Sequence, residues 1–269
     1  MNRLLNFIML GLIVSGLSCS SNKDNLNAAM NLYDKKDYKS AISFFTKAIN
    51  EDSLDPDLYN LRGYSYNQIG KYELALIDFR KALKLGKYDV SIHVNMGDSF
   101  FNLGKYNQAI NLFLIARKID SLDAAVNYDL GSSLLKINQP KEAIKYLSYD
   151  IALDTTDAES YYVRGLAYSE LDQFLNAIND YSKAIKLNPG QSKFYVDRGA
   201  SWFYSGNFDK AIEDCNQSIR MDSLNLEAYY VRGLAWNELG QAEKGCIDFH
   251  HLQSNNFEKD ITEEIKNCK

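Results

Sequence analysis

Apolar and small residues recur along this chain at helical spacing, and the same pattern returns every 34 residues. The stretch Tyr161–Pro189 shows the repeated unit most clearly. In its first half, Tyr161, Gly165 and Tyr168 lie three or four residues apart, and its second half repeats this spacing around Tyr181. Residues at such a spacing share one face of an α-helix. The unit therefore predicts two amphipathic helices joined by a short turn.

A glycine marks the first helix of almost every unit. The glycines are Gly63, Gly97, Gly131, Gly165, Gly199 and Gly233, and one further step back reaches Ala29. Twelve positions after each of them stands another small residue, and sixteen positions after stands a residue that is large in most units. A position without a side chain lets a second helix approach closely. The spacing thus predicts seven helical pairs, each packed through a small residue.

This alternation of small and large residues resembles the tetratricopeptide repeat. The resemblance implies an all-α fold, a right-handed superhelical solenoid of about seven helix-turn-helix repeats with a C-terminal capping helix. The repeats are expected at 22–55, 56–89, 90–123, 124–157, 158–191, 192–225 and 226–259. Phe257, Ile261 and Ile265 recur every four residues, which predicts the capping helix at 255–269.

The first 18 residues do not fit the repeat and are expected to form a signal peptide. Arg3 precedes an apolar run that is shorter than the roughly 20 residues of a membrane-spanning helix. Gly16-Leu17-Ser18-Cys19 resembles the lipidation site of bacterial lipoproteins, although that family prefers leucine where Gly16 stands. The resemblance implies a lipidated Cys19, a tether over 19–24 and anchoring in the cell envelope, with outer-membrane sorting. The alternative is an ordinary secreted protein with an incidental cysteine.

Charge and motifs exclude several functions. Without the signal peptide, which contains Arg3 and no acidic residue, the chain has 29 basic and 35 acidic residues and a net charge of −6. Scattered lysines in an acidic chain argue against nucleic-acid binding. The three histidines show no pair at helical metal-ligand spacing, and no catalytic or nucleotide-binding motif is found. The sequence therefore predicts no enzyme activity, no metal and no cofactor.

Four repeats combine an arginine just before the repeat glycine with an aspartate sixteen residues later. The arginines are Arg62, Arg164, Arg198 and Arg232, and the aspartates are Asp78, Asp180, Asp214 and Asp248. The other three repeats have apolar or aromatic residues at both positions. Presence together and absence together favour a half-buried ion pair within each repeat over a row of ligand-binding arginines.

The resembled fold also implies a binding surface, because its first helices line a concave groove at repeat positions 2, 5, 9 and 12. Carried onto this chain, the implied groove residues are Asn60, Tyr64, Asn67, Asp98, Phe101, Tyr128, Tyr162, Phe203, Tyr230 and Asn237. Aromatic rings supply contact area and amides pair with an extended backbone, which suits a peptide or helical segment of a protein partner. The alternative is that some tyrosines only cover the inner face.

The sequence thus favours a non-enzymatic protein-interaction scaffold or adaptor, anchored to the cell envelope by its lipid. The runner-up is a lipoprotein of an uptake system that binds a glycan or another small ligand. Export would also permit a disulfide between Cys246 and Cys268, which the sequence leaves open.

Overall fold

The computed structural model describes residues 24–120, 124–266 and 268. The predicted signal peptide, Cys19 and all of the predicted tether except its last residue therefore lie outside the described residues. Within them, all regular secondary structure is α-helical. No described helix is long and apolar enough to cross a bilayer.

The helices follow one another in pairs. The first helices of the pairs are α1, whose described part covers 24–34, α3 (Pro56–Gln68), α5 (Val90–Asn102), α7 (Ala124–Lys136), α9 (Ala158–Ser169), α11 (Ser192–Tyr204) and α13 (Leu226–Glu238). The second helices are α2 (Tyr38–Glu51), α4 (Tyr72–Lys84), α6 (Tyr106–Ile119), α8 (Pro140–Leu153), α10 (Phe174–Leu187), α12 (Phe208–Met221) and α14 (Ala242–Ser254). From α3 to α13, successive first helices begin 34 residues apart. The predicted all-α fold of helix-turn-helix repeats is confirmed.

Contacts among the helices divide the chain into two compact units, which meet in the sequence between Asp129 and Leu130. In unit 1, which ends at Asp129, α3 packs on α4, α4 on α5 and α5 on α6. In unit 2, which begins at Leu130, the same order runs from α8 through α14. Within the units, α4, α10 and α12 are thus each packed between the first helix of their own repeat and that of the next.

The repeat glycines lie where the two helices of a pair approach most closely. A Cβ atom added to Gly165 would lie 2.6 Å from Tyr181 Cε1, and one added to Gly63 would lie 2.7 Å from Phe79 Cε1. Tyr181 and Phe79 are almost completely buried. The large residue sixteen positions after each of these glycines therefore fills the space that the missing side chain leaves.

The turn inside each repeat ends its first helix with one residue in the left-handed conformation. Gly70, Gly104, Gly206 and Gly240 have φ between +71° and +79°, as expected for glycines after a helix. The other three repeats place Lys36 (φ 60°), Asn138 (φ 59°) and Asp172 (φ 56°) at the same position. The turn geometry is therefore shared even where glycine is absent.

The C-terminal segment differs from the predicted continuous helix. Among its described residues, those of α15 (Thr262–Lys266) are helical and residues 255–261 are not. Phe257, Ile261 and Ile265 nevertheless pack against the buried Phe249 and Leu252. Asn256 takes a positive φ of 52° directly before Phe257, so the chain turns after α14 instead of continuing it.

The same segment is joined covalently to α14. Cys246 of α14 and Cys268 form a disulfide, with their Cα atoms 5.4 Å apart. The remaining described cysteine, Cys215, is a buried free thiol, and its burial raises its pKa. The C-terminal segment thus covers the end of unit 2 through apolar contacts and one cross-link.

Candidate functional site

The four arginines of the ion-pair pattern each lie against the aspartate sixteen residues later. The Nε and Nη2 atoms of Arg62, Arg164, Arg198 and Arg232 donate to the two carboxylate oxygens of Asp78, Asp180, Asp214 and Asp248 over 2.6–2.9 Å. All four aspartates are buried. Such two-pronged contacts are among the strongest hydrogen bonds that these groups form. Each pair joins the two helices of its own repeat.

Each arginine also reaches a third helix, which the sequence analysis missed. The Nη1 atom donates to a hydroxyl or amide oxygen sixteen residues earlier, on the second helix of the preceding repeat. The four acceptors are Thr46 (3.1 Å), Ser148 (3.1 Å), Ser182 (3.0 Å) and Asn216 (2.6 Å). The sequence did contain a signal for this contact. Two repeats without the arginine follow another repeat, and sixteen residues before their apolar residue stand Arg80 and Leu114 instead of a small polar residue.

A tyrosine covers each guanidinium as well. Tyr59, Tyr161, Tyr195 and Tyr229, three residues before the arginines, hold their rings 5.2–5.9 Å from the guanidinium carbon. With the carboxylate, the third-helix acceptor and the ring in place, the guanidinium is occupied by groups of the chain itself. The geometry therefore favours a structural role for the arginines over a row of ligand-binding sites.

In each unit the surface of the first helices, named the first-helix face of that unit, holds the other predicted residues. In unit 1, Tyr64 of α3 packs against Tyr33 (5.5 Å between ring centroids) and Tyr38 (6.0 Å). Phe101 of α5 packs edge-on against Tyr106 at 5.3 Å. These rings are half-buried, as is Tyr128 of α7. In this unit the aromatic residues thus pack on the helices and stay partly exposed to solvent.

The two predicted asparagines of α3 differ in their hydrogen bonding. The Asn67 amide donates to the carbonyl oxygen of Asn95 (2.8 Å), and its oxygen accepts from Ser99 Oγ (2.7 Å). Asn67 therefore ties α3 to α5. The buried Oδ1 of Asn60 has no hydrogen-bond partner among the described residues.

Asp98 of α5 is a half-buried acid on the first-helix face of unit 1. Burial raises the pKa of its carboxyl to about 6. The cause is loss of hydration, since burial disfavours the charged form of a carboxyl group.

In unit 2, Tyr162 of α9 lies at the centre of a group of rings and polar atoms. Its ring centroid is 4.8 Å from that of Phe194 and 5.8 Å from that of Tyr181. Its hydroxyl donates to Asp197 Oδ2 over 2.8 Å. Lys193 Nζ lies 4.6 Å from the Tyr162 ring centroid and 2.9 Å from a carboxylate oxygen of Glu159. Tyr162 is thus held by both neighbouring helices.

The remaining predicted residues of unit 2 are partly covered by the chain. Phe203 of α11 packs against Phe208 (5.6 Å) and lies beside two core clusters. Tyr230 of α13 lies 5.4 Å from Phe257, whose segment also places Lys259 Nζ over the Tyr230 ring. The Oδ1 atom of Asn237 is buried without a hydrogen-bond partner among the described residues.

An open cavity of about 410 Å³ lies on the first-helix face of unit 2, between α9 and α11. It is lined by Leu166, Ser169, Asp172, Phe174, Tyr181, Asp197, Ala200, Ser201 and Tyr204. A larger depression of about 500 Å³ also occurs in unit 2, but mostly exposed turn and helix-start residues line it. The cavity between α9 and α11 is therefore the better candidate site.

Asp197 is the most unusual residue of this cavity, and the sequence analysis did not select it. Burial raises the pKa of its carboxyl to about 6, against the lowering effect of the hydrogen bond from Tyr162. In the neighbouring repeats, 34 residues away on either side, the same position holds the buried valines Val163 and Val231. An acid where flanking repeats bury valine was the signal in the sequence.

The described residues include no group of three or more His, Cys, Asp or Glu side chains that could hold a metal ion. What the site offers is hydrogen bonding, negative charge and aromatic surface. Such groups bind and position a ligand.

Comparison with known proteins agrees with the helical pairs. Three sequence models described as tetratricopeptide repeat match residues 25–53 and 56–86, 94–160 and 196–245, and 158–191. No curated protein matches the chain. Families of this repeat are in general non-catalytic interaction modules, and the fold is consistent with a protein-interaction scaffold.

Several solved structures are similar. YrrB, described as a TPR protein with an unusual peptide-binding site, is 25% identical over 68% of this chain and 95% of its own, with a TM-score of 0.60. MamA from Desulfovibrio magneticus RS-1 is 27% identical over 63% and 96% of the two chains, with a TM-score of 0.60. The C-terminal part of a TPR repeat-containing protein from Cytophaga hutchinsonii is 19% identical over 91% and 99%, with a TM-score of 0.71, which shows the fold alone. Since the three sequence models match repeats in both units, this chain belongs to the tetratricopeptide repeat family.

Proposed function

We propose that this protein is a non-enzymatic adaptor that binds a polypeptide segment on the first-helix face and is held at the cell envelope by an acylated Cys19. The observation that carries the binding proposal is the open cavity between α9 and α11, with exposed and half-buried rings beside it. Tyr204 is 63% exposed there and stacks on Phe174 at 5.2 Å. Exposed rings next to hydrogen-bonding groups are typical of surfaces that bind proteins.

The similarity to YrrB, which is described as having an unusual peptide-binding site, supports the same class of ligand. The charge of the first-helix face further restricts which polypeptide segments we expect to bind. Asp98 in unit 1, and Glu159 and Asp197 in unit 2, give the first helices an acidic character. We expect a neutral or basic segment that associates faster at low salt, because surface charges steer encounters between partners.

Site-specific photo-crosslinking tests the binding surface. A photoreactive phenylalanine replaces Tyr204 on α11 in one variant and Leu175 on α10, which is 68% exposed, in a matched control. We expect covalent capture of a polypeptide from position 204 and none from position 175, as read by mass spectrometry of the crosslinked peptides. Capture from position 175 with none from 204 would place the working surface on the second helices and contradict the proposal.

The anchoring part of the proposal rests on the signal-like N-terminal segment and the cysteine that follows it. The disulfide between Cys246 and Cys268 supports export, because disulfides persist mainly in oxidising compartments. The Cys19→Ala variant is expected to leave the membrane fraction and lose metabolic lipid labelling, with Cys215→Ala as the control that keeps both. A Cys19→Ala protein that still sediments with membranes and still carries labelled lipid would contradict acylation of Cys19.

A further inference from the structure

We infer that the cavity between α9 and α11 is a pocket for a lysine or arginine side chain of the bound polypeptide, with the Asp197 carboxylate as its partner. This inference rests on the proposed function and adds the chemistry that the segment must contain. It concerns unit 2 alone, since every residue of the cavity lies between positions 166 and 204.

The lining of the cavity has a single sign of charge. Asp172 and Asp197 are the charged residues of the lining, and no lysine, arginine or histidine lines it. Hydroxyl groups of Ser169, Ser201 and Tyr181 provide further oxygen atoms, and the Ser169 hydroxyl oxygen lies 3.2 Å from each of the other two. A cationic group with several N–H donors would satisfy this set of acceptors, whereas an anion would be repelled.

Asp197 can bind a ligand while it keeps its hydrogen bond from Tyr162. Among the described residues, Tyr162 is the one side chain that donates to its carboxylate, and it does so at Oδ2. The other carboxylate oxygen, Oδ1, is therefore left for a ligand. A half-buried carboxylate with one internal donor gains much from a cation, because charge-assisted hydrogen bonds are about twice as strong as neutral ones.

The nearest cation of the chain does not take this role. Lys193 lies one turn earlier on α11, but its Nζ is held by Glu159 at 2.9 Å and by the Tyr162 ring. Its charge acts on Asp197 only through space, and Glu227 of α13 opposes it. An incoming cation would therefore meet a carboxylate that the chain itself has not paired.

The aromatic residues provide the remaining surface. Phe174 and Tyr204 stack with an interplanar angle of 20°, and both line the cavity. The aliphatic stem of a lysine or the flat guanidinium of an arginine packs well on such rings, which attract cations through their faces. A volume of about 410 Å³ is large enough for one such side chain and part of its backbone.

The experiment uses the full chain and a phage-displayed library of random 12-residue peptides. Peptides that crosslink to the photoreactive group at position 204 are synthesised, and each lysine or arginine is replaced in turn by norleucine or citrulline. Binding is measured for the parent protein, for Asp197→Asn and for Glu213→Gln, an exposed acid on α12 that gives the same change in net charge. Replacing one basic residue of the peptide and replacing Asp197 should each weaken binding about tenfold, and the two losses should not add. Glu213→Gln should leave binding unchanged.

Each other outcome identifies which idea is wrong. Peptides that crosslink at 204 but contain no essential basic residue, or that bind Asp197→Asn as tightly as the parent, would overturn the cation pocket and leave the proposed function in place. A library that yields no peptide crosslinked at 204 would overturn both. Retention of oligosaccharides on a glycan array, lost in Tyr204→Ser and unaccompanied by peptide binding, would also overturn both.

An NMR readout separates ligand contact from a structural role of Asp197. The carboxyl carbon signal of Asp197 reports its protonation. A bound cation should move the pKa of Asp197 downward from about 6, although Lys193, Glu227, Tyr162 and Tyr181 continue to surround it. A pKa that does not change when a basic peptide saturates the protein would show that the cation binds elsewhere.

Discussion

At the scale of single residues, we expect the ion pairs between arginine and aspartate to stabilise the fold. Arg164 is 17% exposed at its side chain, so its loss leaves Asp180 buried and unpaired. We expect Arg164→Met to lower the free energy of unfolding by about 2–4 kcal/mol, and Arg164→Met with Asp180→Leu to recover much of that loss. Urea denaturation of the parent, the two single variants and the double variant measures the coupling. Losses that simply add would show that the pair does not stabilise the fold.

Asp98 makes the stability of unit 1 depend on pH. Burial raises its pKa in the folded state to about 6, so between about pH 4 and about pH 6 the folded chain keeps a proton that the unfolded chain has lost. Stability from this group is complete below about pH 4 and is lost as the pH rises through about 6. Asp98→Asn should therefore raise the free energy of unfolding at pH 7 by on the order of 1 kcal/mol and flatten its change between pH 4 and 7. The exposed Asp34→Asn is the control, and an equal gain from it would argue against burial as the cause.

At the scale of the helical elements, the turn between the two helices of each repeat contains a residue in the left-handed conformation. Lys36 takes φ 60° with a full side chain, a conformation that costs an ordinary L-residue roughly 1–2 kcal/mol. Lys36→Gly should raise the free energy of unfolding by about 1 kcal/mol. Gly70→Ala is the reverse experiment, since no atom lies within 4 Å of the added Cβ and only backbone strain is introduced. Thermal unfolding of both variants tests the pair, and a loss of stability in Lys36→Gly would contradict the strain argument.

We expect the packing of α8 on α9 to be a weak junction between two repeats. Asp150 stands on α8 where the next repeat has Ala184, and it is 3% exposed with its Oδ2 lacking a hydrogen-bond partner among the described residues. Burial raises the pKa of Asp150, so its charged form costs stability at neutral pH. Asp150→Ala should slow amide hydrogen exchange in α8 and α9, and Ala184→Asp should speed it in α10 and α11. Equal protection of α8 to α11 in the parent protein would remove the case for a weak junction.

At the scale of the whole molecule, the C-terminal segment protects the end of unit 2. Its apolar residues cover Phe249 and Leu252, and the disulfide closes a loop between residues 246 and 268. A loop of this length is stabilised by about 3 kcal/mol in the chain-entropy model. In Cys246→Ser with Cys268→Ser, amide exchange should become faster over 257–266 and stay unchanged in α9 to α12. Exchange that stays slow over 257–266 would show that apolar packing alone holds the segment.

The repeat pattern was readable in the sequence because packing between helices depends on residue size at fixed spacing. Gly165 and Tyr181 show this, since a missing side chain and a large one must meet if the helices are to approach. The partners Arg164 and Asp180 were readable for a related reason, because burying either charge without the other costs stability. The third partner, Ser148, was harder to find because a serine is ordinary on any helix.

The sequence by itself determined the helical repeats, their 34-residue spacing and the pairing of arginine with aspartate, since these depend on local periodicity and on charge. Tertiary structure alone decided which side chains of the first helices remain open to a ligand. The Asn67 side chain is bound in a contact between α3 and α5, whereas Asp197 borders a cavity. Both outcomes depend on distances between helices that are far apart in sequence. The end of the chain was decided in the same way: a positive φ at Asn256 and a cross-link to Cys246 turn a regular apolar stripe into a short helix and a folded-back segment.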